Sequence, residues 1–263
     1  ADLKEEADVF WIQGANPAEQ HVIGHSKYFK PAANEGTTVI QVDPHENKTS
    51  QVADVHLQVK PGRDIPILNI VLKTILDEEL YDEEYIKERT KGFESLETEL
   101  ADFDVEAAAE RAGVDADTVK EAARTFAEAD RGAIFTGMGM SQKTCGTDNV
   151  QNLINLALIT GNLGEAGTGI NPLRGQNNVQ GTSDVGALPN VLPGYREVED
   201  PDDRQVVADV WGFEPPPENG LTSLEVTDAA GEEIQGLYVM GENPVLSEPN
   251  SNEVEENLQK LEF

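Results

Sequence analysis

Cysteine is all but missing from this chain. Cys145 stands alone among 263 residues, which excludes an internal disulfide and any multi-thiolate metal site within it. Histidine is nearly as scarce. His21, His25, His45 and His56 form no zinc-like cluster; His21 and His25 are spaced i,i+4, but no HExxH surrounds them, so both read as surface or helix-packing residues. No apolar run is long enough to span a membrane, and no secretory signal opens the chain. It begins "ADLKEEADVFWIQG", almost directly in a strand, and ends "EENLQKLEF", in mid-helix. Both ends are expected to be cut from a longer parent.

Positive charge is the other shortage. Nineteen Lys and Arg face 50 Asp and Glu, for a net charge of −31. Self-repulsion on that scale destabilises a compact state unless salt screens it, and ~1 M salt shortens the Debye length to about 3 Å. The acids are spread over helix faces and loops rather than gathered in a tail. This is the expected surface of a halophile, and most Asp and Glu need no further account. Nucleic acid and anionic membrane are poor partners for such a surface, and no direct membrane insertion is expected. An interior site for a small anion is not.

What is present is alternation. "DVFWIQG", "TTVIQVDP", "VADVHLQVKPG" and "GAIFTGMGMSQ" read as strands stopped by Gly or Pro. "DIPILNIVLKTILDEEL" reads as a helix with Leu68, Val71, Leu72, Ile75, Leu76 and Leu80 on one face, Asp64 as N-cap and Pro66 in the first turn. Residues 82–130 carry two or three acidic amphipathic helices, and "TDNVQNLINLALITGN" is an apolar helix ended by Gly161. This order predicts an α/β fold, a parallel sheet with helices on both faces. Beyond Gly181 the chain is loop-rich, with one further strand, "IQGLYVMGENP". That strand echoes the first: "FWIQGANP" and "LYVMGENP" both run into Gly-x-Asn-Pro, at Gly14, Asn16, Pro17 and at Gly241, Asn243, Pro244. Ligands of open α/β sheets sit outside the carboxyl ends of strands, so two such turns suggest two related nucleotide-binding halves, although so short an echo also arises by chance.

In order, "QGANPAEQ", "VDPHENKTSQVADVHLQVKPGRD", "GMGMSQKTCGTDN", "LITGNLGEAGTGINPLRGQNNVQGTSDVGALPNVLPGY" and "YVMGENP" resemble the molybdopterin oxidoreductases, the dimethyl sulfoxide reductase superfamily. The run "GINPLRGQNNVQGTSDVGALPNVLPGY" is similar to that of formate dehydrogenase catalytic (alpha) subunits in particular. The resemblance implies two Rossmann-like domains, here residues 1–176 and part of a second in 177–263. Each would hold the guanosine end of one molybdopterin guanine dinucleotide, and the two pterins would clasp molybdenum or tungsten. It places Gly14 and Asn16 on one dinucleotide and Gly241, Glu242 and Asn243 on the other. Asp43 would take a guanosine by its amino edge or ribose hydroxyls, with Pro61, Gly62 and Asp64 beside it. Gly137, Gly139, Gln142, Gly161 and Asn162 would approach the other cofactor's pyrophosphate and pterin, and Gly175, Gln176 and Asn177 would line the pterin. The family usually has Arg after "VDP"; here it is His45, and that contact is not carried over. Each glycine also has a plain reading as a tight turn, and Asp43 before Pro44 as a turn former.

Arg174 is the candidate catalytic residue. From Ala166 to Ser183 it is the one ionisable side chain. The matching Arg of the family binds the substrate carboxylate beside the metal. A planar guanidinium offers two parallel donors, and a neighbourhood free of Asp and Glu leaves them uncontested. The alternative is a structural salt bridge to a distant acid. The implied reaction is oxidation of formate to carbon dioxide with two electrons passed to the metal; whether hydrogen leaves as hydride or as proton plus electrons stays open. The resemblance also implies an iron–sulfur module and a metal-ligating Cys or Sec followed by His, upstream of this chain, and electron-transfer partner subunits. Cys145, followed by Gly146, is not that ligand, and no residue here is assigned to the metal. A C-terminal cap domain is also expected to lie outside this chain, which is expected to be inactive alone and cytoplasmic. Two rivals remain: a nitrate or other oxyanion reductase of the superfamily, and a cofactor-free scaffold like the related subunit of respiratory complex I.

Overall fold

The computed structural model describes residues 2–263, and the chain divides into two compact units, residues 1–175 and 176–263. The first is built on five parallel strands: β1 (Val9–Gln13), β2 (Thr38–Val42), β3 (Val55–Leu57), β4 (Gly132–Thr136) and β5 (Gly169–Pro172), in the order β3-β2-β1-β4-β5. Every residue of β1 and of β4 is buried. That is what central strands of a parallel sheet require, since helices cover both faces.

Alternation along β1 divides the core. Val9 and Trp11 point into a layer formed by the helices Asp64–Asp77, Ala116–Ala127 and Gly146–Ile159, while Phe10 and Ile12 point to the opposite face. There Phe10, Phe29 and Phe135 meet edge to face, with ring centroids 4.6–5.5 Å apart. The helix Asp64–Asp77 buries Ile67 and Ile70 as well as Leu68, Val71, Leu72 and Ile75, because it lies against both other helices of its layer.

Three expectations need correction. Residues 82–130 hold four short helices, Glu83–Arg89, Phe93–Leu100, Val105–Ala112 and Ala116–Ala127. Asp82, Asp104 and Asp115 each start one by accepting a backbone N–H at 2.8–2.9 Å, and Gly92 and Gly113 break the run in left-handed conformations. Part of the acidic surplus is therefore helix capping. Second, Arg63 occupies the N-cap, and Asp64 is the first helical residue, its carboxylate being engaged elsewhere, as described below. Third, "IQGLYVMGENP" forms no strand. Among the described residues, Ile234 bridges Ala230, and residues 262 and 263 run beside the stretch, with Leu237 N–H to Phe263 O at 2.9 Å and Glu262 N–H to Gln235 O at 2.9 Å. Tyr238 and Met240 are 83% and 80% exposed. Apolar, β-prone residues form a strand where neighbouring strands supply partners, and none flanks residues 238–240.

The second unit contains one sheet among the described residues, the antiparallel pair β6 (Val191–Leu192) and β7 (Arg196–Glu197). Leu192, Val198 and Val207 form its small core. Its helices are Val179–Asp184, Pro201–Trp211, Ser223–Asp228, Pro244–Ser247 and Ser251–Leu258. Among the described residues, no helix is long and apolar enough to cross a membrane.

Candidate functional site

The strand order reverses direction between β1 and β4, and crevices of open parallel sheets form outside the carboxyl ends at such a point. Gly14, just past β1, has φ +67°, and Gly139, just past β4, donates its N–H to Gly14 O at 3.1 Å. A Cβ on Gly14 would come within 2.7 Å of Met140 N, and one on Gly139 within 2.7 Å of Gly14 O. The two turns thus pack backbone on backbone, which only glycine permits.

A cleft of about 340 Å³ opens at this edge. Gly14, Ala15 and Asn16 line it from β1, Val42, Asp43 and Pro44 from β2, Pro61 and Asp64 from the turn after β3, Gly137 to Gly139 and Lys143 from β4, and Leu173 and Gly175 from β5. Of the sequence-derived candidates, Gly14, Asn16, Asp43, Pro61, Asp64, Gly137, Gly139 and Gly175 therefore converge, and Gly137 and Gly139, expected at the other cofactor, share one cleft with Gly14 and Asp43 because β1 and β4 are neighbours.

A buried polar chain supports its floor. Trp11 Nε1–H donates to Gln13 Oε1 at 3.0 Å, and Gln13 Nε2–H donates to Asp64 Oδ1 at 3.3 Å. Lys143 Nζ pairs with Asp64 Oδ2. Asp64 is 5% exposed, and an isolated charge so deeply placed would be costly. Asp43 differs. Its Oδ1 accepts the His45 N–H at 2.8 Å, and it makes no salt bridge among the described residues. Burial pushes its pKa above the ordinary Asp value, the His45 N–H pulls it back, and the charge of Asp64 adds to the rise. Asn16 is committed within the protein: its Oδ1 accepts from Thr49 Oγ1 at 2.7 Å and its Nδ2–H donates to Glu19 at 2.5 Å.

Other candidates lie elsewhere. Gly161 and Asn162 sit at the opposite edge of the sheet. Asn162 Oδ1 accepts the Gly132 N–H at 2.6 Å, Asn162 O accepts the Gly169 N–H at 3.0 Å, and a Cβ on Gly161 would come within 2.7 Å of Asp82 Oδ2. The pair ties together the starts of β4 and β5 and does not face the cleft. Gly62 forms an exposed left-handed turn beside Pro61, and Gln142 is exposed, one residue before Lys143. Gln176 and Asn177 are exposed residues that open the second unit.

Arg174 lies between two lining residues, Leu173 and Gly175. Its side chain is exposed and forms no salt bridge among the described residues. Its carbonyl accepts a hydrogen bond from His21 Nε2 at 2.6 Å. His21, expected to be a surface or helix-packing residue, is half-buried and lines the cleft. Gln13, Lys143 and His21 are the site residues the sequence did not single out. Gln13, a polar residue inside "FWIQG", was a usable signal; the other two stand among ordinary polar neighbours.

The second Gly-x-Asn-Pro turn repeats the first in detail. Gly14 and Gly241 have φ +67° and +72°, and Asn16 and Asn243 have φ −124° and −129°. Each Asn precedes a four-residue helix with Pro at its start, and Gln20 N–H and Ser247 N–H both bond the Asn carbonyl at 3.0 Å. Tyr238, Val239, Glu242 and Pro244 border a second cleft with Leu188 and Leu221.

A family model described as molybdopterin oxidoreductase matches residues 2–263. The chain belongs to the molybdopterin oxidoreductase family. A similar protein is the "F420-dependent formate dehydrogenase subunit alpha" of Methanocaldococcus jannaschii, 42% identical over 98% of this chain and 38% of that one. Another is the "Assimilatory nitrate reductase catalytic subunit" of Bacillus subtilis, 37% identical over 97% of this chain and 36% of that one. Among solved structures, acetylene hydratase from Pelobacter acetylenicus aligns with TM-score 0.57 at 23% identity, covering 60% of this chain and 22% of its own. That likeness supports the α/β fold alone. The chain spans about two fifths of the length of its curated relatives. Membership of the family implies molybdopterin and a molybdenum or tungsten centre.

Proposed function

We propose that this chain is the central part of a formate dehydrogenase, and that its first unit holds one of two molybdopterin guanine dinucleotides. The cleft fits such a group on three counts. It lies at the carboxyl edge where the strand order reverses, Gly14, Gly137 and Gly139 let the two turns that line it pack backbone on backbone, and it carries one carboxylate without a cationic partner among the described residues, Asp43. Asp43 is assigned to the guanine or ribose, Gly137 and Gly139 to close approach by the pyrophosphate, and Gly175 to the pterin. Gly62, Gln142, Gln176 and Asn177 are left with the same broader assignment. Gly241, Glu242 and Asn243 are assigned to the second dinucleotide because their turn copies the first. When bound, the metal and its pterins would take up the two electrons released as formate loses a proton and becomes carbon dioxide.

The protein's own contribution is capture and orientation. Arg174 supplies two parallel donors for the two carboxylate oxygens. The observation that carries the reading is that Arg174 is the one ionisable side chain from Ala166 to Ser183 in a chain with 50 acids, beside a cleft lined by Leu173 and Gly175. The similarity to a nitrate reductase subunit gives a second reading, oxyanion reduction at the same Arg174, since nitrate is also planar and anionic. Formate and nitrate turnover by the complete protein decide between them. Formate oxidation without nitrate reduction is expected, and the reverse overturns the reading.

Further parts of the proposal lie outside this chain: an iron–sulfur cluster, electron-transfer partners, and a cytoplasmic setting. Tungsten and molybdenum fit equally. The acidic surface is assigned to life in concentrated salt.

A further inference from the structure

We infer that His21 is a positioning residue that holds the Arg174 backbone in place for anion capture; this rests on the proposed role of Arg174. After β5 the chain makes one last sheet bond, Leu173 N–H to Thr136 O at 2.7 Å. The next group with a partner is the Arg174 carbonyl, which meets His21 Nε2 at 2.6 Å. One residue later Gly175 lies against the Met138 side chain, where a Cβ would come within 3.2 Å of its terminal carbon. The exposed guanidinium thus hangs from a main chain held on both sides. Without the imidazole, the Arg174 peptide keeps only the sheet bond before it.

The backbone singles out His21. The backbone departs from helical geometry at this one residue, φ −125° and ψ 52°, between the helices Pro17–Gln20 and Val22–Gly24. That break falls on the residue whose ring reaches across 153 positions to Arg174. The Arg174 carbonyl can only accept, so Nε2 is the donor. That bond joins the helix break to the loop that carries the proposed substrate ligand.

Three variants of the cofactor-loaded complete protein test this, His21→Ala, His21→Gln and Arg174→Lys, each measured with its metal and pterin content. A glutamine amide can replace the Nε2–H donor. In His21→Ala the formate KM rises about tenfold at unchanged cofactor content, and His21→Gln recovers most of the loss, the scale of effect a small misplacement produces. Hydrogen exchange over residues 173–175 accelerates in His21→Ala and returns towards normal in His21→Gln. The anchoring is overturned if exchange there is unchanged in His21→Ala, or if His21→Gln is no better than His21→Ala. It is equally overturned if lost activity merely tracks lost cofactor. If Arg174→Lys leaves formate turnover unchanged, the substrate reading fails, while the exchange measurement still decides whether His21 anchors the loop.

Discussion

The two Gly-x-Asn-Pro turns have nearly the same backbone and very different surroundings. Around Gly14 five parallel strands, two layers of helices and the interlocking Gly139 fix the turn on every side. A Cβ on Gly241 would meet nothing within 4 Å, and among the described residues no backbone pairs with residues 238–240. A local sequence of four residues is therefore enough to set a turn, through the left-handed glycine, the extended Asn and the proline at the helix start. It is not enough to make a sheet. That depends on neighbours distant in sequence.

The contrast predicts unequal costs for the same substitution. Gly14→Ala should lower stability by about 3 kcal/mol or more, adding left-handed strain to a collision with the β4 turn. Gly241→Ala meets nothing within 4 Å and should cost about 1 kcal/mol, the strain alone. Chemical denaturation followed by Trp fluorescence checks both, and equal costs would break the comparison. Next in size is Lys143→Met, which leaves the Asp64 carboxylate buried without its cation. About 2 kcal/mol is expected at neutral pH, less than for a fully buried pair because Lys143 is partly exposed. The same readout applies, and the effect should disappear when Asp64→Asn is added.

Salt should act on the whole surface. Lowering KCl from ~2 M to ~0.1 M lengthens the Debye length several-fold, and Tm should fall by ~10 °C. An unchanged Tm in a thermal scan removes the halophilic assignment.

The smallest effect is expected at Asp43. Its pKa is raised in the fold, so the native state binds the proton more tightly than the unfolded chain. Its contribution to stability is greatest at low pH and is lost as pH rises from the ordinary Asp value, 3.8, through the raised one. Asp43→Asn should therefore gain on the parent as pH climbs through that window, by less than ~1 kcal/mol because the group is only half-buried. Stability measured between pH 3 and 7 checks the sign.

Strand and helix order was legible where a period repeats over several residues, as in β1, β4 and the helix from Asp64, and not at the four-residue β5, Gly169–Pro172, which is too short to show one. The edge of the sheet on which a glycine falls was legible too, but by topology rather than motif. Gly14 and Gly137 follow strands and reach the carboxyl edge; Gly161 follows a helix and precedes β5, so it belongs at the amino edge. His21 and Lys143 were not legible, because a single polar residue carries no period and its partner lies 79 or 153 positions away.

The central claim is that a guanidinium kept clear of carboxylates binds a small planar anion. Steady-state formate oxidation by Arg174→Lys, in complete protein matched for metal and pterin content, tests it most directly. A lysine keeps the charge and loses the two parallel donors. The predicted result is a fall in kcat/KM of about a hundredfold, the scale of a charge-assisted bidentate contact. Turnover equal to that of the unsubstituted protein would contradict the account.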